Sequence, residues 1–219
     1  MATVKGRRAD DVIAWFKRCP QAERKRVEVV VLDMSKTYAA AIQQLFGESV
    51  QVIDRFHVVK LAVEALDEVL RSVQNQLEPD EAKELKKLRR RWLKSANQLN
   101  VDELIARYEW RRRFPQLREM IDWVQDLRLW FERKYEKPAR EALSKLIERA
   151  SQSAQEPLKR MAGTLTRWFE PIVHYIRNRS SNGRTEGFNN KIKLIQRMAY
   201  GLRNEHNRRK RIMAHCGKT

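Results

Sequence analysis

Residues 27–33 read Val-Glu-Val-Val-Val-Leu-Asp, and they carry the strongest fold signal in this 219-residue chain. The run is β-branched and almost continuously apolar, which is typical of a strand buried on both faces, as in a parallel sheet. A similar stretch, Ser-Val-Gln-Val-Ile-Asp, follows at residues 49–54. Between the two, Ser35 is a good N-cap, and Tyr38–Phe46 predicts a helix that ends at Gly47. The order strand, helix, strand predicts a fragment of a parallel sheet covered by helices.

The rest of the chain predicts helices. Their expected ranges are 9–18, about 56–77, 80–97, 101–136 with a break near Pro115, 138–151, 156–177 with an interruption at Pro171, and 185–199. Five tryptophans spaced through residues 80–177 are expected to fill the core: Trp92, Trp110, Trp123, Trp130 and Trp168. The fold class is therefore α/β, with two parallel strands, a large all-α insertion and a mostly helical composition.

The predicted helix over 185–199 has an unusually clean helical wheel. Its polar stripe contains Glu186, Asn190, Lys193 and Arg197, and an apolar stripe lies opposite. Ordinary amphipathicity is one interpretation, with Glu186 well placed near the positive end of the helix dipole. The alternative is a carboxylate presented among groups that bind phosphate.

Charge points to a polyanionic partner. The chain has 46 Lys and Arg against 28 Asp and Glu, a formal net charge of +18. Residues 179–219 alone hold eleven basic and two acidic residues, so this tail is the expected contact with a phosphate backbone. Nucleic acid is the commonest partner of this kind, although a basic tail can also be only a solubility feature or a mobile arm. The runs 89–91 and 111–113, three arginines each, are expected to be solvated helix faces more often than DNA contacts.

Several classes of protein are disfavoured. No apolar run approaches the roughly 20 residues of a membrane span, and residues 1–8 do not resemble a signal peptide. Cys19 and Cys216 match no metal-ligand or redox spacing. We therefore expect a reduced cytoplasmic protein without a membrane partner.

Three acids are candidates for chemistry. Asp33 and Asp54 each follow a predicted strand at its carboxyl end, where open α/β sheets place ligands, and Glu186 lies on the basic helix. Carboxylates that hold Mg²⁺ or Mn²⁺ would suit metal-dependent phosphoryl transfer. A solvated, helix-initiating acid is an equally open interpretation of Asp33.

Three motifs in this order resemble bacterial insertion-sequence transposases of the ISL-three family. They are Asp-Met-Ser-Lys-Thr-Tyr at 33–38, Asp-Arg-Phe-His-Val-Val at 54–59, and Asn-Gly-Arg-Thr-Glu-Gly-Phe-Asn-Asn-Lys-Ile-Lys at 182–193, followed by Ala-Tyr-Gly at 199–201. The C-terminal segment 203–217 is similar to that family as well. Together the motifs span nearly the whole chain, residues 27–217.

The resemblance implies an RNase H-like DDE catalytic domain. Asp33 matches its second acid and Glu186 its third, both expected as catalytic residues and metal ligands. Asp54 and His57 match a supporting Asp-x-x-His motif, although a helix-start histidine of purely structural use remains open. The expected DNA contacts are Asn182, Arg184, Asn190, Lys193 and Arg197. The implied reaction is DNA transposition by metal-dependent phosphodiester hydrolysis and strand transfer, at element ends and a target, with oligomerisation on DNA possible.

The departures from the family pattern are also informative. The family's first aspartate lies upstream of the equivalent of residues 3–8, so we expect this chain to lack it, together with the first three strands. Asp10 and Asp11 begin a predicted helix and are no substitutes. The expected organisation is a partial RNase H-like core at 1–57, the helical insertion at 58–178, and residues 179–219 completing the core. A C-terminal fragment of this kind should be inactive alone, and a two-metal site for Mg²⁺ or Mn²⁺ is expected only if the missing first aspartate is supplied.

Two alternatives remain open from the sequence. One is a non-catalytic DNA-binding remnant of a mobile element that uses the basic tail. The other is a helical interaction module with no DNA role. Salt-dependent DNA binding would exclude the helical interaction module, because a protein that neutralises phosphates releases counterions. Metal-dependent cleavage separates a transposase from a DNA-binding remnant.

Overall fold

The computed structural model describes residues 8–47, 49–88, 91–92, 94, 98–199 and 204–216, apart from the side chains of Arg184 and Glu205. Within these residues the chain is a mostly helical α/β protein, as predicted. In order, its elements are α1 Ala9–Phe16, α2 Gln21–Lys25, β1 Val29–Leu32, α3 Lys36–Phe46, β2 Val50–Ile53, α4 Arg55–Gln74, α5 Pro79–Leu88, α6 Val101–Arg113, α7 Pro115–Trp130, α8 Glu136–Ser151, α9 Glu156–Arg167, α10 Phe169–Asn178, α11 Gly183–Met198 and α12 Glu205–Cys216.

The chain forms two compact units. Unit 1 comprises residues 1–54 and 180–219, so it joins the sheet region to the last two helices. Unit 2 comprises residues 55–179 and contains α4 to α10. No helix of the described residues is both long and apolar enough to span a membrane.

The sheet of unit 1 contains the two predicted strands. They pair in parallel, with Val29 opposite Val50 and Leu32 opposite Ile53. Ser35 caps α3 as expected, because its Oγ accepts a hydrogen bond from the Tyr38 N–H at 3.5 Å. Full burial of the first strand was wrong: three of its four residues are only partly buried. The reason is that β1 has a strand neighbour on one edge only among the described residues.

One face of the sheet region is covered by helices α1 and α3. Ile42, Leu45 and Phe46 of α3 are buried, and Ile13 and Phe16 of α1 pack against them together with Val27 and Val30. The rings of Phe16 and Phe46 meet edge to face at 5.1 Å between centroids. This apolar packing fixes α3 across the connection between the two parallel strands, which is the arrangement that a β-α-β unit requires.

Unit 2 is a helical bundle in which α7 packs against α4 and α8, and α8 packs against α9. The predicted core role of the tryptophans is confirmed, since Trp92, Trp110, Trp123, Trp130 and Trp168 are all buried. Two of the indoles bridge helices: Trp123 Nε1 donates to the Leu146 carbonyl at 2.9 Å, and Trp130 Nε1 donates to the Ala139 carbonyl at 2.7 Å. Backbone acceptors thus satisfy these two buried indole N–H groups, whereas the buried Trp92 Nε1 has no partner among the described residues.

Several helix ends differ from the prediction. The helix after Pro115 ends at Trp130 rather than at 136, and the Arg179 guanidinium donates to the carbonyls of Phe131 and Arg133 just beyond that end. The expected break at Pro171 lies instead at Trp168, because Pro171 is the third residue of α10, where a helix N–H has no intrahelical partner to lose. Helix α5 ends at Leu88, and much of the predicted extension to 97 falls outside the described residues.

Candidate active site

Two aspartates leave the sheet at its carboxyl edge. Leu32 and Ile53 are register partners, so the residues that follow them, Asp33 and Asp54, emerge from adjacent strands. The Asp54 N–H donates to the Leu32 carbonyl at 3.4 Å, which extends the pairing by one residue. Their environments differ sharply: Asp33 is exposed, whereas Asp54 is only 3% exposed. The two strand-end acids therefore have different access to a ligand.

The buried carboxylate of Asp54 holds the beginning of α11. Its Oδ2 accepts a hydrogen bond from the backbone N–H of Asn182 at 2.6 Å. Asn182 is the N-cap of α11, and its own side chain makes no capping hydrogen bond. The negative carboxylate also lies at the positive end of the helix dipole, where anions are favoured. A residue 128 positions earlier in the chain thus fixes where α11 begins.

Glu186 lies in the first turn of α11, one turn from this attachment. Its N–H donates to the Asn182 carbonyl at 2.8 Å, and the residue is half-buried. At about 1.5 Å of rise per residue, its Cα stands roughly 6 Å along the helix from Asn182. The predicted helix over 185–199 is confirmed with a slightly earlier start, and its expected apolar stripe includes the buried Ile195.

The predicted DNA contacts lie on α11 or at its N-cap. Asn190, Lys193 and Arg197 are exposed, Asn182 is half-buried, and the Arg184 side chain is outside the described residues. The apolar stripe of the helix turns Ile195 inward, so the basic stripe faces solvent. DNA binding by these side chains stays a prediction.

Helix α12 also carries many basic residues and was missed by the sequence analysis. It packs against α11, and Lys191 Nζ donates to the His215 carbonyl at 2.5 Å, near the α12 C-terminus. Asn204 caps the start of α12, with its Oδ1 accepting from the Asn207 N–H at 3.2 Å. Ile212 and Cys216 are buried four residues apart. Those two signals, a capping Asn and an i,i+4 apolar pair, could have revealed the helix.

His57 lies in the first turn of α4, within unit 2, and is half-buried. Its ring meets the Phe56 ring edge to face, at 5.5 Å between centroids. Asp54, the other half of the Asp-x-x-His motif, is the last residue of the first segment of unit 1. A supporting role for His57 stays a prediction, and its place at a helix start equally fits a structural histidine.

The carboxylates were also considered as metal ligands. Asp33 and Glu186 offer the hard oxygen donors that Mg²⁺ and Mn²⁺ prefer. Within the described residues, however, no three His, Cys, Asp or Glu side chains lie close enough together to hold a metal ion. The donor chemistry of Asp33 and Glu186 fits a divalent cation, and their role as metal ligands stays a prediction.

The arginine run of unit 2 is occupied by ion pairs. Arg111 meets Asp122 at 2.5 Å, Arg112 meets Glu109 at 3.2 Å, and Arg113 meets Glu81 at 2.5 Å. The hydrogen bond from Arg113 lowers the pKa of Glu81 below its ordinary value. Each guanidinium in this run has a carboxylate partner on its own unit, which favours the solvated-face interpretation over DNA contact.

A second arginine network joins helices of unit 2. Arg140 lies between Glu136, at 3.3 Å, and Glu170, at 2.5 Å. Its hydrogen bond lowers the pKa of Glu170, and the same carboxylate raises the pKa of the guanidinium. The pair with Glu170 links α8 to α10, whereas Glu136 and Arg140 lie on the same helix.

Comparisons with known proteins identify the family. The model of the ISL-three transposases, described as "Transposase", matches residues 1–212. The transposase for insertion sequence element IS1001 of Bordetella parapertussis is 31% identical over 214 residues, covering 91% of this chain and 50% of that protein. The chain thus spans about half the length of this curated relative. No solved structure matches significantly. Nearly the whole chain therefore matches one family, and it belongs to the ISL-three transposases.

Proposed function

We propose that this chain forms part of the catalytic core of a DDE transposase with an RNase H-like fold. In this proposal Asp33 and Glu186 are two of three acids, and they hold Mg²⁺ or Mn²⁺ for phosphodiester hydrolysis and strand transfer in DNA transposition. The bound metal would activate the attacking oxygen and stabilise the leaving oxygen. The substrate would be double-stranded DNA at element ends and a target, within the nucleoid.

The hydrogen bond between Asn182 and Asp54 carries this proposal. It attaches the helix of Glu186 to the strand that runs beside the strand of Asp33. The two acids thereby belong to one unit, although 153 residues separate them in the sequence. The side chains that share a helix stripe with Glu186 are neutral or cationic, which suits a phosphate substrate held close to a metal.

Metal binding tests the proposed roles of the two acids. Mn²⁺ is titrated into the purified chain and followed by electron paramagnetic resonance. We expect Asp33→Asn and Glu186→Gln each to weaken Mn²⁺ binding at least tenfold, because a two-carboxylate site loses half of its charge. Asp10→Asn is the matched control, since Asp10 is an exposed acid on α1 in the same unit. Equal Mn²⁺ binding by all three variants and the parent would refute the assignment.

A DNA cleavage assay tests whether the chain supplies all the acids that the reaction needs. We expect residues 1–219 with Mg²⁺ or Mn²⁺ and element-end DNA to neither nick nor join, because they supply two of the three acids. Nicking that is lost in Asp33→Ala would overturn that part of the proposal while supporting Asp33 as a ligand. Activity that survives Asp33→Ala would overturn the role of Asp33 as well.

DNA binding tests the basic stripe of α11. Lys193→Gln and Arg197→Gln should each weaken duplex binding and reduce the slope of log K against log salt by about 0.9, because one phosphate contact is lost. Arg112→Gln is the control, since Arg112 is already paired with Glu109 on unit 2. If Arg112→Gln weakens binding as much as the α11 variants do, the stripe is not the DNA contact.

The second candidate function is a DNA-binding protein without catalysis. The exposed basic side chains of α11 and α12 favour it. It predicts salt-dependent DNA binding that depends on Lys193 and Arg197, with no Mn²⁺ binding that depends on Asp33 or Glu186. The metal titration therefore separates the two candidates.

A further inference from the structure

We propose that Arg55 and Arg179 are positioning residues for the helix of Glu186, because they anchor both chain connections of unit 2 on one loop. Unit 2 begins at Arg55 and ends at Arg179, so the chain enters and leaves it at these two residues. Both side chains contact residues 131–133, which follow α7 and which we call the anchor loop. The consequence of this positioning for metal binding at Glu186 rests on the proposed function.

Arg55 contacts the anchor loop through its guanidinium. Its Nη1 lies 2.7 Å from Glu132 Oε1, and its Cζ lies 5.7 Å from the centroid of the Phe131 ring. The ion pair is partly exposed, with 37% of the Arg55 side chain and 62% of the Glu132 side chain accessible to solvent. Exposed ion pairs contribute little to stability. The main effect of this contact is therefore to fix the place where α4 begins.

Arg179 contacts the same loop from the other end of the unit. Its guanidinium donates to the Phe131 carbonyl at 2.6 Å and to the Arg133 carbonyl, and its Cζ lies 5.7 Å from the Tyr175 ring centroid. Its backbone φ is 51°, which makes it the one residue other than glycine with a positive φ in the described part of the chain. Glycine ends a helix in this conformation with less strain, so an arginine here points to a use for its side chain.

The anchor loop is itself fixed to the core of unit 2. Phe131 is fully buried, and its ring meets the rings of Trp130 and Tyr175 edge to face, at 4.9 and 5.4 Å between centroids. The next two N–H groups of the loop donate back to carbonyls at the end of α7, both at 3.1 Å. Arginines that bind this loop are therefore held relative to the core of unit 2 and to each other.

Within unit 1, the residues just outside the two anchors are joined by a hydrogen bond. Asp54 directly precedes Arg55, Asn182 follows Arg179 by three residues, and the Asp54 carboxylate accepts from the Asn182 N–H at 2.6 Å. Three residues of extended chain span at most about 11 Å, so an anchored Arg179 limits where Asn182 can lie. If residues 55–179 were a loop with free ends, its closure entropy would oppose this hydrogen bond. The two arginines therefore favour the contact that fixes the start of α11.

Hydrogen exchange followed by mass spectrometry tests the positioning role. We expect Arg179→Asn to speed exchange in the first turns of α11 about tenfold, because asparagine tolerates the left-handed backbone but is too short to reach the anchor loop. Arg55→Gln should speed this exchange severalfold, and Arg55→Lys should return it to near the parent rate because lysine can still pair with Glu132. Arg133→Gln is the matched control, since it removes an exposed charge from the same loop and leaves the carbonyl in place.

Peptides from α8 report the stability of unit 2 in the same samples. Faster exchange at the start of α11 with unchanged exchange in α8 supports the positioning role. Faster exchange that is confined to the ends of α7 and α10, or that is uniform throughout unit 2, would show that the arginines only stabilise unit 2 and would overturn the proposal. Equal effects of Arg133→Gln and Arg179→Asn at α11 would overturn it as well.

A Mn²⁺ titration distinguishes a failure of this proposal from a failure of the proposed function. If Glu186 is a metal ligand, Arg179→Asn weakens Mn²⁺ binding severalfold and Arg133→Gln leaves it unchanged. If Glu186→Gln binds Mn²⁺ as the parent does while Arg179→Asn still speeds exchange at α11, the metal role fails and the positioning role stands. If Arg179→Asn changes neither exchange at α11 nor a Mn²⁺ affinity that depends on Glu186, the positioning role is overturned and the metal role stands.

Discussion

Asp54 is expected to act as a positioning residue for the helix of Glu186, and Asp54→Ala tests this. The substitution removes the acceptor of the Asn182 N–H, a 2.6 Å hydrogen bond to a carboxylate that is 3% exposed. Hydrogen bonds to charged groups contribute about 1.5–3 kcal/mol, and a charge at a helix N-terminus typically adds about 0.3–1 kcal/mol. We therefore expect the free energy of opening the start of α11 to fall by about 2–3 kcal/mol.

Hydrogen exchange followed by mass spectrometry measures that opening. A loss of 2–3 kcal/mol corresponds to exchange that is roughly 30- to 150-fold faster in peptides covering the first turns of α11. Asn182→Ala is the control, because the alanine keeps the backbone N–H and the native side chain makes no capping hydrogen bond. Asp54→Asn should fall between the two, since its amide oxygen accepts without a charge. If Asp54→Ala exchanges no faster than Asn182→Ala, this hydrogen bond does not hold the helix.

Three further predictions concern stability. Trp130→Phe removes the indole that donates to the buried Ala139 carbonyl, so urea unfolding of unit 2 should show a loss of about 2–3 kcal/mol, and a loss under 0.5 kcal/mol would contradict this. Arg140→Gln removes the partner that lowers the pKa of Glu170. In the parent, this ion pair contributes to the free energy of unfolding above the ordinary Glu pKa of 4.5, and the contribution is lost as the pH falls through the lowered pKa of Glu170. Urea unfolding of the variant should therefore depend less on pH below pH 4.5. An unchanged dependence on pH would count against the pair. Lys191→Met removes the ammonium from the C-terminal end of α12 and should cost less than about 1 kcal/mol in thermal unfolding, because the contact is exposed.

The local patterns of the chain predicted much of the secondary structure. The two strands were predicted because continuous β-branched runs favour strands over other structures. Helix α11 was predicted because its apolar residues repeat at helical spacing. Helix α12 was missed because its mean hydropathy is low, with only Ile212 and Cys216 buried among many cations. Packing against α11 stabilises this helix, although its own amphipathic pattern is weak. Such packing cannot be predicted from the sequence of either helix alone.

The attachment of α11 to the sheet could not be predicted for the same reason. The motif containing Asp54 suggested a supporting acid, but nothing near it in the sequence indicates that its partner is a backbone N–H 128 residues later. A backbone donor leaves no trace in residue identity, since any residue except proline would offer the same N–H. Sequence reasoning assigned Asn182 a role through its side chain, and the structure adds a role for its main chain.

The net charge of the chain also says less about a basic surface than the positions of the charged side chains in the structure do. In unit 2, each member of the arginine run 111–113 has a carboxylate partner, so that run adds little positive field at a distance. On α11, Lys193 and Arg197 are exposed, and no ion pair involving them is present within the described part of the chain. The same residue types therefore differ in the positive field that they present, because carboxylates accompany them in one unit and are scarce in the tail.

Burial separates the two strand-end aspartates, which occupy equivalent positions in the sequence pattern. Asp33 is exposed, so Asp33→Asn should change the free energy of unfolding by no more than about 0.5 kcal/mol. Asp54→Asn removes a buried charge from the N-terminus of α11 and should cost about 1 kcal/mol or more, although the change in chemistry is identical. Urea unfolding of both variants, set beside their Mn²⁺ affinities, measures the contrast. A ligand role for Asp33 requires that its substitution reduce metal binding without reducing stability, and a positioning role for Asp54 requires that its substitution reduce stability. Equal effects of the two substitutions on both measurements would show that the difference in exposure between Asp33 and Asp54 does not separate a metal-ligand role from a positioning role.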